Sequence, residues 1–325
     1  MNKPKVYIAR PMPEEVEMYI RQHCEVIEKD PGKSGKEAFF AAIAEAEGLL
    51  TSGTKIDAVL LDHAPKLRVV SNHSVGYNNY DVKEMAARGV IGTHTPKVLD
   101  DTVADLIIGL MLSAARRIPE LDRLVRNGGW MKGPDEPLYG WDVHHQTVGI
   151  IGMGRIGAQV AKRAKLGFDM DVLYFNRSRN EQAEAQYGAT YCTMDELLTR
   201  SDFVVVMTPL TPETEKLLGK EQFAKMKKSA FFINASRGAV VDEEALVEAL
   251  QTGLIRGAGL DVFTVEPLPA DHPLTKLDNA VLLPHIGSAT AKTRFDMAML
   301  AAKNLVEGVY GRKPPYVVPE LAHLI

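Results

Sequence analysis

The stretch Val148-Gly149-Ile150-Ile151-Gly152-Met153-Gly154-Arg155-Ile156-Gly157, in the middle of a 325-residue chain, decides the fold. A short apolar run opens directly into the pattern G-x-G-x-x-G, and the helix-like sequence AQVAKRAKLG follows it. The order predicts a strand, a tight turn and a helix. Gly152 permits a turn that a side chain would block, Gly154 lets the backbone approach a pyrophosphate, and Gly157 lets the helix pack close to its strand.

The N-terminus of this predicted helix is suited to phosphate. The amides around Arg155 and Ile156 have no partner within the helix, and the positive end of the helix dipole lies there. A G-x-G-x-x-G pattern in isolation is equally consistent with a chance glycine turn. The strand before it and the helix after it favour a dinucleotide-binding unit.

The end of the second strand of this unit indicates which dinucleotide binds. The strand Val172–Phe175 runs into Asn176-Arg177-Ser178-Arg179, which has no carboxylate to hold a ribose 2′-hydroxyl, and Asp171 precedes the strand. A neutral Asn beside two arginines suits a 2′-phosphate. NADP(H) is therefore favoured, with NADH possible, unless Arg177 and Arg179 are ordinary solvated loop residues.

Composition excludes several classes of partner. The chain has 38 basic and 42 acidic residues, a net charge of −4, and no long block of Lys or Arg, so neither nucleic acid nor a membrane surface is an expected partner. No apolar run approaches the length of a membrane span. Cys24 and Cys192 lack ligand spacing, which predicts reduced thiols in a cytoplasmic protein and no metal site.

Strands alternate with helical stretches on both sides of the glycine motif, a pattern typical of parallel sheets. One long helix is predicted from Asp100 to about Asn127, and a last helix from about Ser288 to Gly308. Thr193 and Glu196 have capping-box spacing. The expected strands are Val6–Ile8, Leu67–Val70, Phe203–Val206, Ala230–Ile233, Ile255–Leu260 and Val281–Leu283.

Three reactive side chains follow strands of the second series. Arg237 comes after the strand AFFI, Glu266 lies in the segment after GAGL, and His285 follows VLL. Carboxyl ends of parallel strands meet at one edge, where such sheets bind ligands. Each residue alone could be a surface Arg, a turn Glu or a structural His, but the set at neighbouring strand ends predicts an active site.

The chain resembles the D-isomer-specific 2-hydroxyacid dehydrogenases along nearly all of its length. The segments VGIIGMGRIG, PLTPETEKLLG, INASRGAVVDEEAL, GLDVFTVEP and PHIGSAT carry the resemblance, in that order. Within that family it is similar to the glyoxylate/hydroxypyruvate reductases, above all to a bacterial branch that also reduces 2-ketoaldonates such as 2-ketogluconate. DVHHQTVGIIGMGRIG and EQFAKMKKSAFFINASRG carry this closer likeness.

The resemblance implies an α/β fold of two Rossmann-like, doubly wound parallel-sheet domains with a cleft between them. Residues 1–99 and 288–325 would form a discontinuous substrate-binding domain, and residues 100–287 the NADP-binding domain. Arg237, Glu266 and His285 would be catalytic, and the enzyme a homodimer. By the same resemblance, Val75 and Gly76 would bind the substrate carboxylate, and Thr102, Thr208, Pro209 and Asp261 would contact the cofactor.

The chemistry of 2-keto acid reduction suits these three catalytic residues. The carbonyl oxygen needs a proton as hydride reaches the carbonyl carbon, and histidinium is a suitable donor. Glu266 would favour the charged form of His285. Arg237 could hold the substrate carboxylate with its planar fork and polarise the carbonyl.

Other functions remain open. Some relatives on the same fold sense their cofactor and recruit partners, and a sensor could retain all three residues. A phosphoglycerate dehydrogenase is disfavoured by the NADP-type loop and the lack of a C-terminal regulatory domain. A formate dehydrogenase is disfavoured because PHIGSAT lacks a Gln shortly after its His. His144 and His145, just before the first cofactor strand, are expected to be structural.

Overall fold

A computed structural model describes residues 3–28 and 35–325 of the chain. The strands are β1 (Lys5–Ile8), β2 (Glu25–Val26), β3 (Gly48–Thr51), β4 (Val69–Asn72), β5 (Ile91–Thr93), β6 (Thr147–Ile151), β7 (Asp171–Phe175), β8 (Thr190–Tyr191), β9 (Phe203–Val206), β10 (Phe231–Asn234), β11 (Gly257–Leu260) and β12 (Ala280–Leu282). The helices are α1 (Glu14–His23), α2 (Gly35–Ala44), α3 (Ala58–Asp62), α4 (Val82–Ala87), α5 (Asp100–Ala115), α6 (Ile118–Arg126), α7 (Arg155–Phe168), α8 (Glu181–Tyr187), α9 (Met194–Arg200), α10 (Lys220–Lys225), α11 (Glu243–Gln251) and α12 (Ala291–Val309).

The chain divides into two compact units. The first unit comprises Met1–Leu99 and Thr290–Ile325, and the second comprises Asp100–Ala289. The chain re-enters the first unit at Thr290, whereas the sequence analysis placed that boundary at residue 288. Each unit contains one parallel sheet.

The sheet of the second unit has seven parallel strands in the order β12-β11-β10-β9-β6-β7-β8. Its strands are short apolar runs such as Phe203–Val206 and Phe231–Asn234, in which every residue is buried. Runs without polar alternation are expected where helices cover both faces of a sheet. The strand order reverses between β6 and β9, and the carboxyl ends of these two strands border the crevice where such sheets bind ligands.

The sheet of the first unit has five parallel strands in the order β2-β1-β3-β4-β5. Apolar residues of α2, α3 and α4, including Ile43, Leu60 and Met85, form the core on one face. The core on the other face is built from α1 and α12, including Ile20 and Leu305. The first unit is therefore a second doubly wound fold, with the 2-1-3-4-5 order of flavodoxin-like sheets.

The prediction of one helix from Asp100 to Asn127 is wrong. Helix α5 ends at Ala115, and α6 begins at Ile118 after Arg117 adopts a left-handed backbone conformation with φ of 56°. A continuous helix would set the ring of Pro119 against the carbonyl of Ala115, four residues earlier. That carbonyl instead accepts a hydrogen bond from the Trp141 amide at 2.9 Å.

Smaller differences concern short elements. Strands β2, β3, β5 and β8 were not predicted; two of them have only two residues, too few for a periodic signal. The predicted strand Leu67–Val70 begins at Val69, and Asp171 is the first residue of its strand, at the end away from the glycine turn. The capping box of Thr193 and Glu196 is confirmed.

Two further properties of the described residues bear on chemistry. None of their helices combines the length and apolar character needed to cross a bilayer. Cys24 and Cys192 are free and buried, and burial raises the pKa of both thiols, that of Cys24 to about 11. Both therefore stay protonated and weakly nucleophilic at neutral pH.

Candidate active site

The glycine turn connects β6 to α7 where the strand order reverses. Gly152 has a φ of +104°, and a Cβ there would lie 2.7 Å from the carbonyl carbon of Met207. A Cβ on Gly157 would lie 2.4 Å from the carbonyl oxygen of Gly152. A Cβ on Gly154, by contrast, would meet nothing within 4 Å. The turn is thus tightly packed on its protein side and open at Gly154, as close approach of a pyrophosphate requires.

Helix α7 begins at Arg155, so the amides of Arg155 and Ile156 lie in its first turn, as predicted for phosphate binding. The side chain of Arg155 has a further role. Its Nε donates to Oδ2 of the buried Asp100 at 3.1 Å, which joins the N-termini of α7 and α5. Thr102 is half-buried in the same first turn of α5.

The loop after β7 contains the predicted 2′-phosphate site. Asn176 Nδ2 donates to the Ser178 carbonyl at 3.1 Å and shapes the loop. Arg179 is bound to both carboxylate oxygens of Glu184, at 3.0 and 2.6 Å. Arg177 is exposed and, among the described residues, makes no ion pair within 4 Å. Of the two arginines, Arg177 is therefore the one whose guanidinium is available to a ligand.

The hydroxyl of Thr208 is the observation that most directly indicates a ligand-binding site in this crevice. It is shielded from solvent and has no hydrogen-bond partner among the described residues. The backbone of Thr208 packs against Gly152, and Pro209 follows it, with its carbonyl bound to Thr214 Oγ1 at 2.7 Å. A buried, unsatisfied hydroxyl is costly, and a ligand lying over the glycine turn could satisfy it. The residues of this crevice therefore fit a nicotinamide dinucleotide.

Arg237 follows β10 in a turn held by Asn234. The Oδ1 atom of Asn234 accepts from the amide and hydroxyl of Ser236, at 3.0 and 2.9 Å, and its Nδ2 donates to the Arg237 carbonyl at 3.1 Å. Arg237 Nη1 donates to the Ser236 carbonyl at 2.7 Å. Burial lowers the pKa of the Arg237 guanidinium, and the charge of Glu266 opposes that change. Arg237 thus remains a largely buried cation at neutral pH.

Glu266 and His285 form an ion pair. Glu266 Oε2 lies 2.7 Å from His285 Nδ1, while Oε1 accepts from the Phe263 amide at 3.0 Å. About half of the His285 side chain is exposed, and its Nε2 has no hydrogen-bond partner among the described residues. The pair therefore leaves Nε2 accessible to exchange a proton with a ligand.

Asp261 fixes the backbone that follows His285. Its Oδ1 accepts from the Ile286 amide at 2.7 Å, and its Oδ2 from the Gly287 amide at 2.8 Å. Burial raises the pKa of the Asp261 carboxyl, and these two amides oppose the rise. His285 has a φ of 53°, in the left-handed region that few side chains adopt, and His is among those enriched there. Asp261 therefore helps to hold a strained conformation at a reactive residue.

The predicted carboxylate-binding loop follows β4 in the first unit. The carbonyls of Ser74, Val75 and Gly76 accept hydrogen bonds from the Thr95 amide, His94 Nδ1 and Asn72 Nδ2, all at 2.9 Å. The amides of Val75 and Gly76 donate no hydrogen bond among the described residues. The carbonyls of this loop are thus occupied while these two donors stay available.

The sequence analysis missed several supporting residues. Asn180 caps α8 by accepting from the Ala183 amide at 3.0 Å, and it donates to the Met153 carbonyl at 2.9 Å, which ties the loop after β7 to the glycine turn. An Asn directly before the helical sequence EQAEAQY was the available signal. The contact with Met153 had no such signal, because it joins separate loops.

No group of three or more His, Cys, Asp or Glu side chains in the described ranges could hold a metal ion.

Comparison with known proteins agrees with this geometry. Residues 108–287, more than half of the chain, match the family described as D-isomer specific 2-hydroxyacid dehydrogenase, NAD binding domain. The chain belongs to this family of oxidoreductases. The predicted family and the predicted pair of doubly wound parallel-sheet units are both confirmed.

Curated relatives and solved structures similar to this chain cover nearly the whole of it. The glyoxylate/hydroxypyruvate reductase B of Pectobacterium carotovorum subsp. carotovorum (strain PC1) is 50% identical over 309 residues, covering 95% of this chain and 96% of that protein. A crystal structure of a protein from Thermus thermophilus is 41% identical, with a TM-score of 0.89, and covers 97% of this chain and 99% of that one. The NADPH-dependent glyoxylate/hydroxypyruvate reductase of Sinorhizobium meliloti, in complex with NADP and malonate, is 32% identical, with a TM-score of 0.86 and 98% coverage of both chains.

Proposed function

We propose that this oxidoreductase reduces small 2-keto acids, namely glyoxylate, hydroxypyruvate and 2-ketogluconate, to D-2-hydroxy acids with NADPH. The observation that carries the proposal is the pair of His285 Nδ1 and Glu266 Oε2, 2.7 Å apart, at the same sheet edge as the buried cation Arg237. The reductase activity for which the Pectobacterium relative is named and the malonate bound to the Sinorhizobium enzyme support it.

In this reaction the nicotinamide cofactor, when bound, supplies the hydride that reaches the carbonyl carbon. His285, with Nδ1 bound to Glu266, donates the proton on Nε2 to the carbonyl oxygen as negative charge develops there. The Glu266 carboxylate accepts the Nδ1 proton and fixes the ring orientation. In the oxidative direction neutral Nε2 is the base. The tautomer fits both directions, because the Glu266 contact keeps the second proton on Nδ1.

Arg237 is proposed to hold the substrate carboxylate and to polarise the carbonyl. Its turn is rigid, because Asn234 and Ser236 fix the backbone on both sides, so the guanidinium is oriented before substrate binds. The amides of Val75 and Gly76 are proposed as the second anchor of the carboxylate. Together these groups would select keto acids over simple ketones, since a ketone without a carboxylate would leave the guanidinium and the two amides without a partner.

Preference for NADPH over NADH is proposed from the loop after β7. Asn176 and Ser178 form a neutral turn, Arg177 is available for a 2′-phosphate, and no carboxylate stands at the strand tip to repel it. The Sinorhizobium relative is named as NADPH-dependent. NADH lacks only the 2′-phosphate and would still use the glycine turn, Thr102, Thr208, Pro209 and Asp261.

A cytoplasmic homodimer is proposed as the working state. Helix α6 has no buried residue, and large apolar side chains on and after it are more than half exposed, namely Ile118, Val125, Trp130, Met131 and Tyr139. An apolar surface of this kind marks an interaction site. A second copy of the second unit is the partner that the family resemblance suggests. Two free thiols suit a reducing compartment.

The test is steady-state oxidation of NADPH with glyoxylate, hydroxypyruvate and 2-ketogluconate, each repeated with NADH. Turnover with at least one keto acid and a higher kcat/KM with NADPH are expected. His285→Ala should bind NADPH normally and lose turnover by ~10²–10⁴-fold, the usual contribution of a placed proton donor. Tight NADPH binding without oxidation by any of the three keto acids would instead favour a cofactor-sensing protein.

A further inference from the structure

The backbone at Phe263 and Thr264 is held from three directions. The Phe263 amide donates to Glu266 Oε1 at 3.0 Å, and the Thr264 amide donates to Glu243 Oε2 at 3.0 Å. On the third side, a Cβ added to Gly238 would lie 1.9 Å from the Phe263 carbonyl carbon, so the backbone after Arg237 touches the peptide that joins Phe263 to Thr264. These two residues therefore contact both the turn that carries Arg237 and the side chain of Glu266.

Glu243 reaches this peptide from the first turn of α11. Its side chain is only 17% exposed, and its second oxygen, Oε1, lies 3.5 Å from His272 Nε2. His272 Nδ1 accepts from the Leu274 amide at 3.3 Å, which leaves the ring proton on Nε2, the nitrogen nearer Glu243. The Glu243 carboxylate is thus held between a histidine and the Thr264 amide.

An acidic residue in the first turn of a helix commonly serves only the helix dipole. In α11 the capping role belongs to Asp242, whose Oδ1 accepts from the Ala245 amide at 3.3 Å. Glu244, in the same turn, is exposed and complements the dipole without touching the 263–264 peptide. Glu243 alone of these three acids turns its carboxylate toward the loop that carries Glu266.

We propose that Glu243, supported by His272, is a positioning residue that sets the place of Glu266, and through it of His285, by fixing the Thr264 amide. The inference rests on the proposed function, because it assigns Glu243 a role in the same reduction. Without Glu243, the Thr264 amide loses its acceptor and the segment 263–266 gains freedom, so that Glu266 meets His285 less often in the productive geometry.

The test uses two conservative variants of Glu243, one that removes the charge and one that shortens the side chain. Glu243→Gln keeps an acceptor at the same distance and loses the charge, whereas Glu243→Asp keeps the charge and is one methylene too short. We expect Gln to stay within about twofold of the parent kcat and Asp to lose roughly tenfold, the order of one positioning hydrogen bond. In Asp the loss should appear in kcat, with the KM for the keto acid and NADPH binding unchanged. Glu244→Ala is the matched control and should behave as the parent.

A double variant decides whether Glu243 acts through Glu266. If it does, Glu243→Asp combined with Glu266→Gln should be no slower than Glu266→Gln alone. Multiplicative losses, a loss in Glu243→Asp that appears in KM rather than in kcat, or an equal loss in Glu244→Ala would each overturn the inference. Failure of the proposed function is distinguishable, because then Glu266→Gln itself would leave kcat at the parent value.

Discussion

At the scale of single residues, contacts made by neighbouring residues set the orientation of His285. His285 has a left-handed backbone, its Nδ1 is bound to Glu266, and the next two amides are bound to Asp261. The Glu266 contact fixes the ring, and the Asp261 contacts fix the backbone that follows it. The proposed proton donor is therefore oriented before substrate arrives, which is the condition for efficient general acid catalysis.

Glu266→Gln should slow both directions of the reaction. The variant replaces a charge-assisted contact with His285 Nδ1 by a weaker neutral one, so the ring is held less firmly for proton transfer at Nε2. We expect kcat to fall by roughly tenfold in reduction and in oxidation of the 2-hydroxy acid, the order of a lost charge-assisted contact, with NADPH binding unchanged. Steady-state rates of parent and variant in both directions measure this. A parental kcat in both directions would leave Glu266 with only a role in loop structure.

Arg177→Ala should affect the two cofactors unequally. Because NADPH alone presents a 2′-phosphate to the loop after β7, its KM should rise by roughly tenfold or more, the order of a lost charge-assisted contact, while the KM for NADH stays near the parent value. Arg179→Ala is the matched comparison, because Arg179 is bound to Glu184. Equal losses for NADPH and NADH in Arg177→Ala would refute the assignment.

His73 should make the protein less stable in mild acid. The side chain is buried, and burial, together with the charges of Arg10 and Arg294, lowers the pKa of His73 to about 4. Between about pH 6.5, the ordinary pKa of a histidine, and about pH 4, His73 is protonated in the unfolded chain and neutral in the folded chain. From pH 7 to pH 5 the free energy of unfolding should fall by roughly 2 kcal/mol more in the parent than in His73→Leu. Urea unfolding at both pH values measures the difference, and equal declines would contradict it.

At the scale of elements, the site depends on contacts between loops that follow different strands. The loops after β10 and β11 meet at Gly238 and the 263–264 peptide, and α11 adds Glu243 to that junction. Parallel strands bring their carboxyl ends to one edge of the sheet, so these loops become neighbours although about 25 residues separate them in sequence.

Gly238→Ala should lower activity more than a general loss of stability would. The added Cβ would lie 1.9 Å from backbone at Phe263, so one of the two loops must move. We expect kcat to fall by at least about 100-fold, since displacement of about 1 Å at a site can have that effect. Gly253→Ala, at a helix end with open space around it, is a control for general destabilisation. Near-parental kcat in Gly238→Ala would show that the loops can separate without cost.

At the scale of the whole molecule, each of the two doubly wound units contains residues named in the proposed function. The second unit contains the glycine turn, Arg237, Glu266 and His285, and the first unit contains the loop with Val75 and Gly76. The exposed apolar residues of α6 and the segment after it lie in the second unit. This unit is therefore also the expected site of self-association.

Charge placed on that apolar surface should dissociate the proposed dimer. Val125→Asp combined with Met131→Asp puts two carboxylates where 54% and 78% exposed apolar side chains stand. Light scattering after gel filtration should give twice the chain mass for the parent and the chain mass for the variant. Val59→Asp, a 60% exposed valine in the first unit, is the control. A monomeric parent, or a variant that stays dimeric, would argue against this interface.

The sequence by itself determined the parallel α/β architecture, the glycine turn and the three strand-end residues Arg237, Glu266 and His285. Those features are local, since each follows from a strand, a turn and the residue type that ends it. The break before Pro119 was also local, but the long apolar run that ends at Ala115, just ahead of it, favoured a single helix.

Only the tertiary structure decided which neighbours those residues have. In the folded chain Arg179 binds Glu184, whereas Arg177 remains available. Both oxygens of Asp261 bind the backbone after His285, and Glu243 binds the Thr264 amide. None of these contacts has a periodic signature, because each joins side chains or amides of loops that only the sheet brings together. The residue types of the site are thus encoded locally, whereas their orientation is a product of strand order and packing.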